Sequence, residues 1–203
     1  MELKIARIVS YLFHPLLIPL YMILLLLNTN SYYSLMVPFK GKLLLTAIIF
    51  LTTILFPVLT GFLFYKIKLI RSFFLVSREE RIYLLLNITI FYYLSYYLLK
   101  ETNVSLILSY FMLGATILVV SAVMISFFHN ISLHMIGAGG MTGTLLGLAF
   151  SQTQDIMAFV FLAILCAGLT GSARLKLNSQ KPMEVYSGFL VGITVMFVIF
   201  RMI

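Results

Sequence analysis

The sequence predicts an all-α membrane protein, a polytopic bundle of six to seven transmembrane helices. Two observations support this fold class. The 203-residue chain is 62% hydrophobic and only 10% charged, which is far too apolar for a soluble domain of this length. Several of its apolar segments also reach the roughly 20 residues that span the hydrocarbon core of a bilayer. No linker or shift in composition divides the chain, so we expect a single transmembrane domain over residues 1–203.

Seven apolar segments define the predicted helices. They run at about 8–28, 43–65, 82–99, 104–128, 134–150, 156–171 and 184–202. The fifth and sixth segments are short, so either six or seven helices could span the membrane. The first segment continues past Pro15 and Pro19 without a small-residue cleavage site behind it, which predicts a retained helix rather than a cleaved signal peptide.

The net charge of +8 arises from 14 basic and 6 acidic residues. Basic loops at a membrane surface explain this balance better than nucleic-acid binding, so we expect no nucleic-acid partner. Ten basic residues fall on the side of the N-terminus and the loops 66–81, 129–133 and 172–183, and four fall on the other side. If Arg78, Arg81, Arg174 and Lys176 served a phosphate site, the margin would fall to six to four. We expect an integral protein of the bacterial inner membrane, with the candidate site on either face of that membrane.

Residues typical of metal or cofactor sites are scarce. Cys166 is the single cysteine and lies in an apolar run, so neither a disulfide within the chain nor a thiolate metal site can form. Acidic clusters, His-x-x-x-His spacing, a Walker loop and G-x-S-x-G are all absent from the sequence. The sequence therefore predicts no metal and no cofactor.

Stripes of small residues predict close packing between helices in the second half of the chain. Glycine or alanine recurs every four residues in each of three segments, which lets a neighbouring helix approach closely. The stripes are Gly139, Gly143 and Gly147, then Ala163, Ala167 and Gly171, and finally Gly188 and Gly192.

Polar residues concentrate in three groups that the predicted topology brings to one membrane face. The groups are S-R-E-E-R at 77–81, H-N-I-S-L-H at 129–134 and the basic stretch that begins at Ser172. Arg78 and Arg81 lie three residues apart, so on a helix they share a face. That face could hold a phosphate between two guanidinium groups or could simply be a solvated helix start with local ion pairs.

Two histidines are candidates for chemistry. His134 lies at the mouth of a predicted span, two residues after Ser132, where it could be a catalyst or a packed interfacial residue. His129 could be a second site histidine, although nothing in the sequence separates it from an interfacial residue. We interpret His14, which precedes Pro15 in an apolar run, as structural.

The spacing of these residues resembles the type 2 phosphatidic acid phosphatase (PAP2) superfamily, whose signatures are K-x6-R-P, P-S-G-H and S-R-x5-H-x3-D. Arg174, Gln180 and Glu184 reproduce the third spacing, Ser132-x-His134 lines up with the second signature, and Arg81 lines up with the arginine of the first. The resemblance covers roughly residues 78–192 and implies a PAP2-like core.

The resemblance implies a role for each matching residue. His134 would protonate the leaving oxygen, and Glu184 would orient the nucleophile. The residues that would bind phosphate are Arg78, Arg81, Arg174 and Ser132.

The chain departs from the family pattern at the nucleophile, where Gln180 replaces histidine. An amide nitrogen is not basic and cannot form the phosphoenzyme that an imidazole forms. Four further positions differ from the signatures, namely Phe74 for lysine, Ile82 for proline, Leu133 for glycine and Ala173 for serine. A site with these changes could still bind a phosphate group without turning it over.

We therefore expect a membrane protein that binds a lipid or isoprenoid phosphate head group without ordinary hydrolysis. The first alternative is an active lipid phosphatase that uses His134, His129 or water activated by Glu184. The second is a structural or assembly subunit without catalysis. A membrane lipid or lipid phosphate is the expected ligand, and association with itself or with another membrane protein is left open.

Overall fold

The computed structural model describes residues 2–29, 37–71, 77–102, 105–151 and 156–202. In this part of the chain every regular element is a helix. Phe74, which differs from the lysine of the first PAP2 signature, lies outside the described residues. The helices are α1 (Leu3–Leu12), α2 (Ile18–Asn28), α3 (Phe39–Lys66), α4 (Arg78–Glu101), α5 (Leu106–Ser126), α6 (Leu133–Ser151), α7 (Met157–Lys176) and α8 (Pro182–Met202).

Six of these helices, α3 to α8, are long and apolar enough to cross a membrane. This confirms the predicted all-α membrane fold and matches six of the seven predicted apolar segments. The longest of them, α3, contains a π-helical turn at Leu51–Leu55 just before Pro57. Such a turn accommodates a proline inside a helix by shifting the hydrogen-bond ladder by one residue.

The first predicted segment, 8–28, is not one continuous helix. The structure contains two short helices there, α1 of 10 residues and α2 of 11, separated at residues 13–17. Pro15 has no N–H to donate and disfavours helical backbone at His14, so a helix ends before this pair. Pro19 is tolerated because it falls in the first turn of α2, where backbone N–H groups need no partner within the helix.

The chain divides into two compact units. The first contains Met1–Ile18 and Asn130–Ile203, and therefore α1, α6, α7 and α8, whereas the second is Pro19–His129. The single domain predicted over residues 1–203 stays a prediction.

In the first unit, α6 and α8 make the most extensive helix–helix contact. A Cβ atom added at Gly139 would collide with the backbone oxygen of Phe189, and one added at Gly192 would collide with that of Ile136. The backbones of α6 and α8 therefore touch, as the glycine stripes predict. The buried side chains that pack beside this contact are Met135, Ala138, Ala167 and Val185.

In the second unit, α4 packs along α5, and hydrogen bonds between polar side chains connect α3 to α4. The Thr52 hydroxyl donates to Oγ of Ser95 at 3.0 Å, and the Thr60 hydroxyl donates to Oδ1 of Asn87 at 2.9 Å. Such bonds between apolar helices satisfy buried polar groups and hold neighbouring spans together.

Candidate functional site

Three of the predicted site residues share one hydrogen-bond network in the first unit. The Ser132 hydroxyl donates to Oε1 of Gln180 at 2.5 Å, and Nε of Arg174 donates to the same oxygen at 3.2 Å. Ser132 precedes α6, whereas the other two residues flank the end of α7. The fold therefore brings together two of the three polar groups that the topology predicts on one face.

The turn between α7 and α8 sets the distance between Arg174 and Gln180. Asn178 adopts the left-handed conformation with φ of 48°, and its N–H donates to the carbonyl of Leu175 at 3.0 Å. The N–H of Ser179 donates to the carbonyl of Arg174 at 3.3 Å. This pair of bonds is a Schellman motif, which ends a helix and reverses the chain within a few residues. Gln180 is thereby returned to the arginine at the end of α7.

Glu184 caps the start of α8. Its Oε2 accepts the backbone N–H of Lys181 at 3.2 Å, and Pro182 is the first helical residue. A glutamate that reaches back to the residue before the helix is one half of a capping box. Within the described part of the chain, the bond from the Lys181 N–H is the one hydrogen bond of the Glu184 carboxylate. The orienting role that the resemblance implies for Glu184 stays a prediction, and this geometry does not support it.

Ser132 has two roles at the start of α6. Besides its bond to Gln180, its Oγ accepts the N–H of Met135 at 3.3 Å, as an N-cap serine does. Its backbone N–H donates to the carbonyl of Glu184 at 3.1 Å, so the first residues of α6 and α8 are tied together. The side chain is completely buried, which fixes its direction toward Gln180.

His134 lies on the first turn of α6 and faces the N-terminal segment. Its Nε2 is 3.2 Å from the backbone carbonyl of Ser10, which can only accept, so Nε2 carries a proton there. Its ring lies edge-on to that of His14, with centroids 5.5 Å apart. The other candidate histidine, His129, is exposed and belongs to the second unit.

Sequence reasoning missed two residues of this cluster, Ser10 and His14. Nη1 of Arg174 donates to Oγ of Ser10 at 3.0 Å, and Ser10 is buried. The available signal was a pair of polar residues four apart in an apolar segment, with the second directly before Pro15. The sequence could not show which helix these residues face.

His14 is a neutral donor in this cluster. Its Nδ1 accepts the backbone N–H of Leu16 at 3.3 Å, which leaves the ring proton on Nε2. Burial lowers the pKa of His14 below the ordinary 6.5, and the nearby charge of Arg174 lowers it further. The imidazole is therefore uncharged at neutral pH and offers one N–H from Nε2.

Arg174 is a partly buried cation whose partners are all neutral. It donates to Gln180 and Ser10, and among the described residues it forms no ion pair with a carboxylate. A guanidinium has five N–H donors, so three remain after these two bonds. Because a buried charge without a counter-charge is costly, this position favours an anionic ligand.

The groups that Gln180, His14 and Arg174 can still offer to a ligand are donors. Oε1 of Gln180 already accepts two hydrogen bonds, which orients the amide so that its NH2 group is the part left to donate. His14 adds its Nε2–H, and Arg174 adds its three remaining N–H groups. Such a surplus of donors fits a group with several acceptor oxygens, such as a phosphate.

Arg78 and Arg81 belong to the second unit. Arg78 is exposed and donates from Nη1 to the carbonyl of Phe127 at 3.0 Å. Ser77 caps α4 by accepting the N–H of Glu80 at 3.2 Å. These contacts agree with the interpretation of S-R-E-E-R as a helix start, and the phosphate-binding role of both arginines stays a prediction.

No family model matches the chain, and comparison with curated proteins and with solved structures finds no match. The resemblance to the PAP2 superfamily therefore rests on the spacing of its motifs.

In the described part of the chain, no three residues among His, Cys, Asp and Glu lie close enough together to hold a metal ion.

Proposed function

We propose that this protein is a PAP2-like integral membrane protein that binds the phosphate head group of a lipid or isoprenoid phosphate without ordinary hydrolysis. The binding site is the cluster of Ser132, His134, Arg174 and Gln180. The observation that carries the proposal is the environment of Arg174, a partly buried guanidinium held by two neutral oxygens with three N–H groups left to donate. Arginine binds phosphate through such planar, charge-assisted hydrogen bonds.

The position of the cluster suits a membrane lipid. It lies where α6 and α8 begin and α7 ends, and thus at the ends of three helices long enough to span a bilayer. The head group of a lipid resides at that depth. Two helix N-termini also contribute a partial positive charge, which favours an anion.

Gln180 favours binding over turnover. The PAP2 mechanism needs a histidine that attacks phosphorus, and an amide nitrogen has no basic lone pair for that step. The oxygen of Gln180 is occupied by Ser132 and Arg174, so what remains for a ligand is its NH2 group. A residue of this kind can hold a phosphate oxygen but cannot form a phosphoenzyme.

Ligand-dependent thermal stability of the purified protein in detergent tests the proposal. Phosphatidic acid is compared with diacylglycerol of the same chains and with inorganic phosphate, which separates lipid phosphate from bare phosphate. A ligand at 100 times its Kd stabilises the folded state by about 2.7 kcal/mol, which is a measurable rise in Tm. We expect this rise with phosphatidic acid, none with diacylglycerol, and a smaller one with inorganic phosphate.

Arg174→Gln is the decisive variant, and Lys176→Gln is its matched control because Lys176 is an exposed cation two residues away on α7. We expect the first to abolish the stabilisation and the second to preserve it. An equal response of Arg174→Gln and wild type to phosphatidic acid would rule out this site.

A non-catalytic structural or assembly subunit is the second candidate. It is favoured by Asn178 and Glu184, whose contacts in the motif region are those of a helix end and a helix cap. This alternative predicts that the protein co-purifies with another membrane protein and responds to no phosphate ligand. An active phosphatase with an altered mechanism predicts phosphate release that is lost in a His134→Ala, Arg174→Ala double variant.

A further inference from the structure

The end of α1 and the turn that follows it supply two polar side chains to the cluster around Arg174. We propose that Ser10 and His14 belong to the anion site, with Ser10 positioning Arg174 and His14 donating a hydrogen bond to the phosphate. This inference rests on the proposed function and extends the site to a part of the chain outside the PAP2-like motifs.

Ser10 connects two predicted site residues through different atoms. Its Oγ accepts Nη1 of Arg174 at 3.0 Å, and its backbone carbonyl accepts Nε2 of His134 at 3.2 Å. It is buried, and α1 packs against α7, so these contacts lie inside the first unit. Ser10 therefore fixes the direction of the guanidinium and is a positioning residue.

His14 is placed by the helix break. Because Pro15 interrupts the helix, the N–H of Leu16 turns back and donates to Nδ1 of His14 at 3.3 Å. The Nδ1 lone pair is used in that bond, so the neutral ring carries its hydrogen on Nε2. The ring contacts His134, which places this donor in the same cluster.

This tautomer separates two roles for His14. A nucleophile would need the Nε2 lone pair, which is absent while Nδ1 accepts an amide hydrogen. A hydrogen-bond donor needs the N–H that the ring does carry. His14 therefore does not replace the histidine missing at position 180, and its chemistry is that of a phosphate-binding donor.

Around Arg174, hydrogen-bond donors without a partner outnumber unused acceptors, which favours binding of an anion. Both acceptor atoms of Ser10 and the oxygen of Gln180 are already engaged by Arg174, Ser132 or His134. Among the described residues, Nε2 of His14 and the amide nitrogen of Gln180 have no acceptor of their own. A phosphate monoester brings three terminal oxygens, and these would satisfy donors from both residues and from Arg174.

The test measures the affinity of the full-length protein for short-chain phosphatidic acid by calorimetry in detergent. We expect His14→Phe, which keeps an aromatic ring but no N–H, to weaken binding about tenfold. His14→Gln restores an N–H donor and with it the single hydrogen bond to the phosphate, so it should bind within about threefold of wild type. Ser10→Ala should weaken binding about tenfold, and His129→Phe, at the exposed histidine of the second unit, should leave it unchanged.

The outcomes separate this inference from the proposed function. If wild type binds and Arg174→Gln does not, but His14→Phe binds like wild type, the role of His14 is wrong and the proposed function stands. If wild type does not bind phosphatidic acid, both fail. Should His14→Phe not fold, the 15N signal of His14 Nε2 in labelled wild-type protein decides. A shift on adding phosphatidic acid but not diacylglycerol supports the contact, and an unmoved signal overturns it.

Discussion

Nε of Arg174 donates a 3.2 Å hydrogen bond to the side-chain oxygen of Gln180, across the turn that joins α7 to α8. The residue that the resemblance aligns with the PAP2 nucleophile thus serves as an acceptor for the residue that it aligns with a phosphate-binding arginine. Ser132 donates to the same oxygen, so the side chains of two residues depend on one amide group. Changes at Gln180 should therefore alter the orientation of the whole cluster.

Gln180→His tests whether the nucleophile is all that this site lacks. We expect phosphate release from phosphatidic acid to stay at the level of wild type, because the carboxylate of Glu184 is engaged in capping α8 and would not orient the new imidazole. The measurement is phosphate release by purified protein, with the Gln180→His, Arg174→Gln double variant as background. A tenfold rise that disappears in the double variant would contradict this expectation and would show an otherwise complete phosphatase pocket.

Replacing Glu184 separates capping from catalysis. Glu184→Gln keeps the side-chain acceptor that a capping box needs, so its Tm and its affinity for phosphatidic acid should match those of wild type. Glu184→Ala removes the acceptor of the Lys181 N–H and should destabilise the fold by about 0.3–1.5 kcal/mol. Thermal unfolding in detergent distinguishes the two variants. Loss of ligand binding in Glu184→Gln at unchanged Tm would instead favour a role for the charge.

Asn178 should tolerate only glycine. Its φ of 48° is costly for most side chains, and asparagine and glycine are the residues that most readily adopt it. Asn178→Gly should leave the free energy of unfolding unchanged or slightly raised, whereas Asn178→Ala should lower it by about 1 kcal/mol. Because this turn returns Gln180 to Arg174, we also expect Asn178→Ala to weaken phosphatidic acid binding. Equal stability of the two variants would mean that the turn does not need its left-handed residue.

The packing of α6 on α8 should not accept a methyl group at Gly143. A Cβ atom there would overlap the backbone of Ile193, and backbone cannot move aside as a side chain can. Gly143→Ala should lower the free energy of unfolding by about 1–3 kcal/mol. Gly168→Ala is the matched control, because no atom of a neighbouring helix in the described structure lies within 4 Å of its added Cβ. The prediction is wrong if the two variants unfold at the same temperature.

The local parts of the site were readable from the sequence because they depend on residues close together in the chain. The six-residue spacing between Arg174 and Gln180, and the acid four residues later, are visible in the printed sequence. What the spacing could not reveal is that a Schellman turn and a capping box account for much of it. A helix end followed at once by a helix start places Asn178 and Glu184 where a phosphatase motif also has fixed positions.

The contribution of the N-terminal segment to the cluster around Arg174 could not be predicted from local spacing. Ser10 and Arg174 are 164 positions apart, and neither residue type nor spacing links them. In the sequence His14 looks like a residue at a helix kink, and the structure does place it at a break before Pro15. Only the packing of α1 on α7 brings these residues to the guanidinium.

The sequence by itself determined the membrane fold class, the positions of six helices long and apolar enough to span a bilayer, the glycine stripes that permit close helix packing and the absence of a histidine at position 180. Each of these depends on composition or on spacing within one helix, which hydrophobic burial and backbone geometry translate directly into structure. The tertiary structure alone decided that Ser10 and His14 join the cluster and that Glu184 caps a helix. Those contacts depend on which helix faces share a neighbour, and residues distant in the chain carry no local signal of that choice.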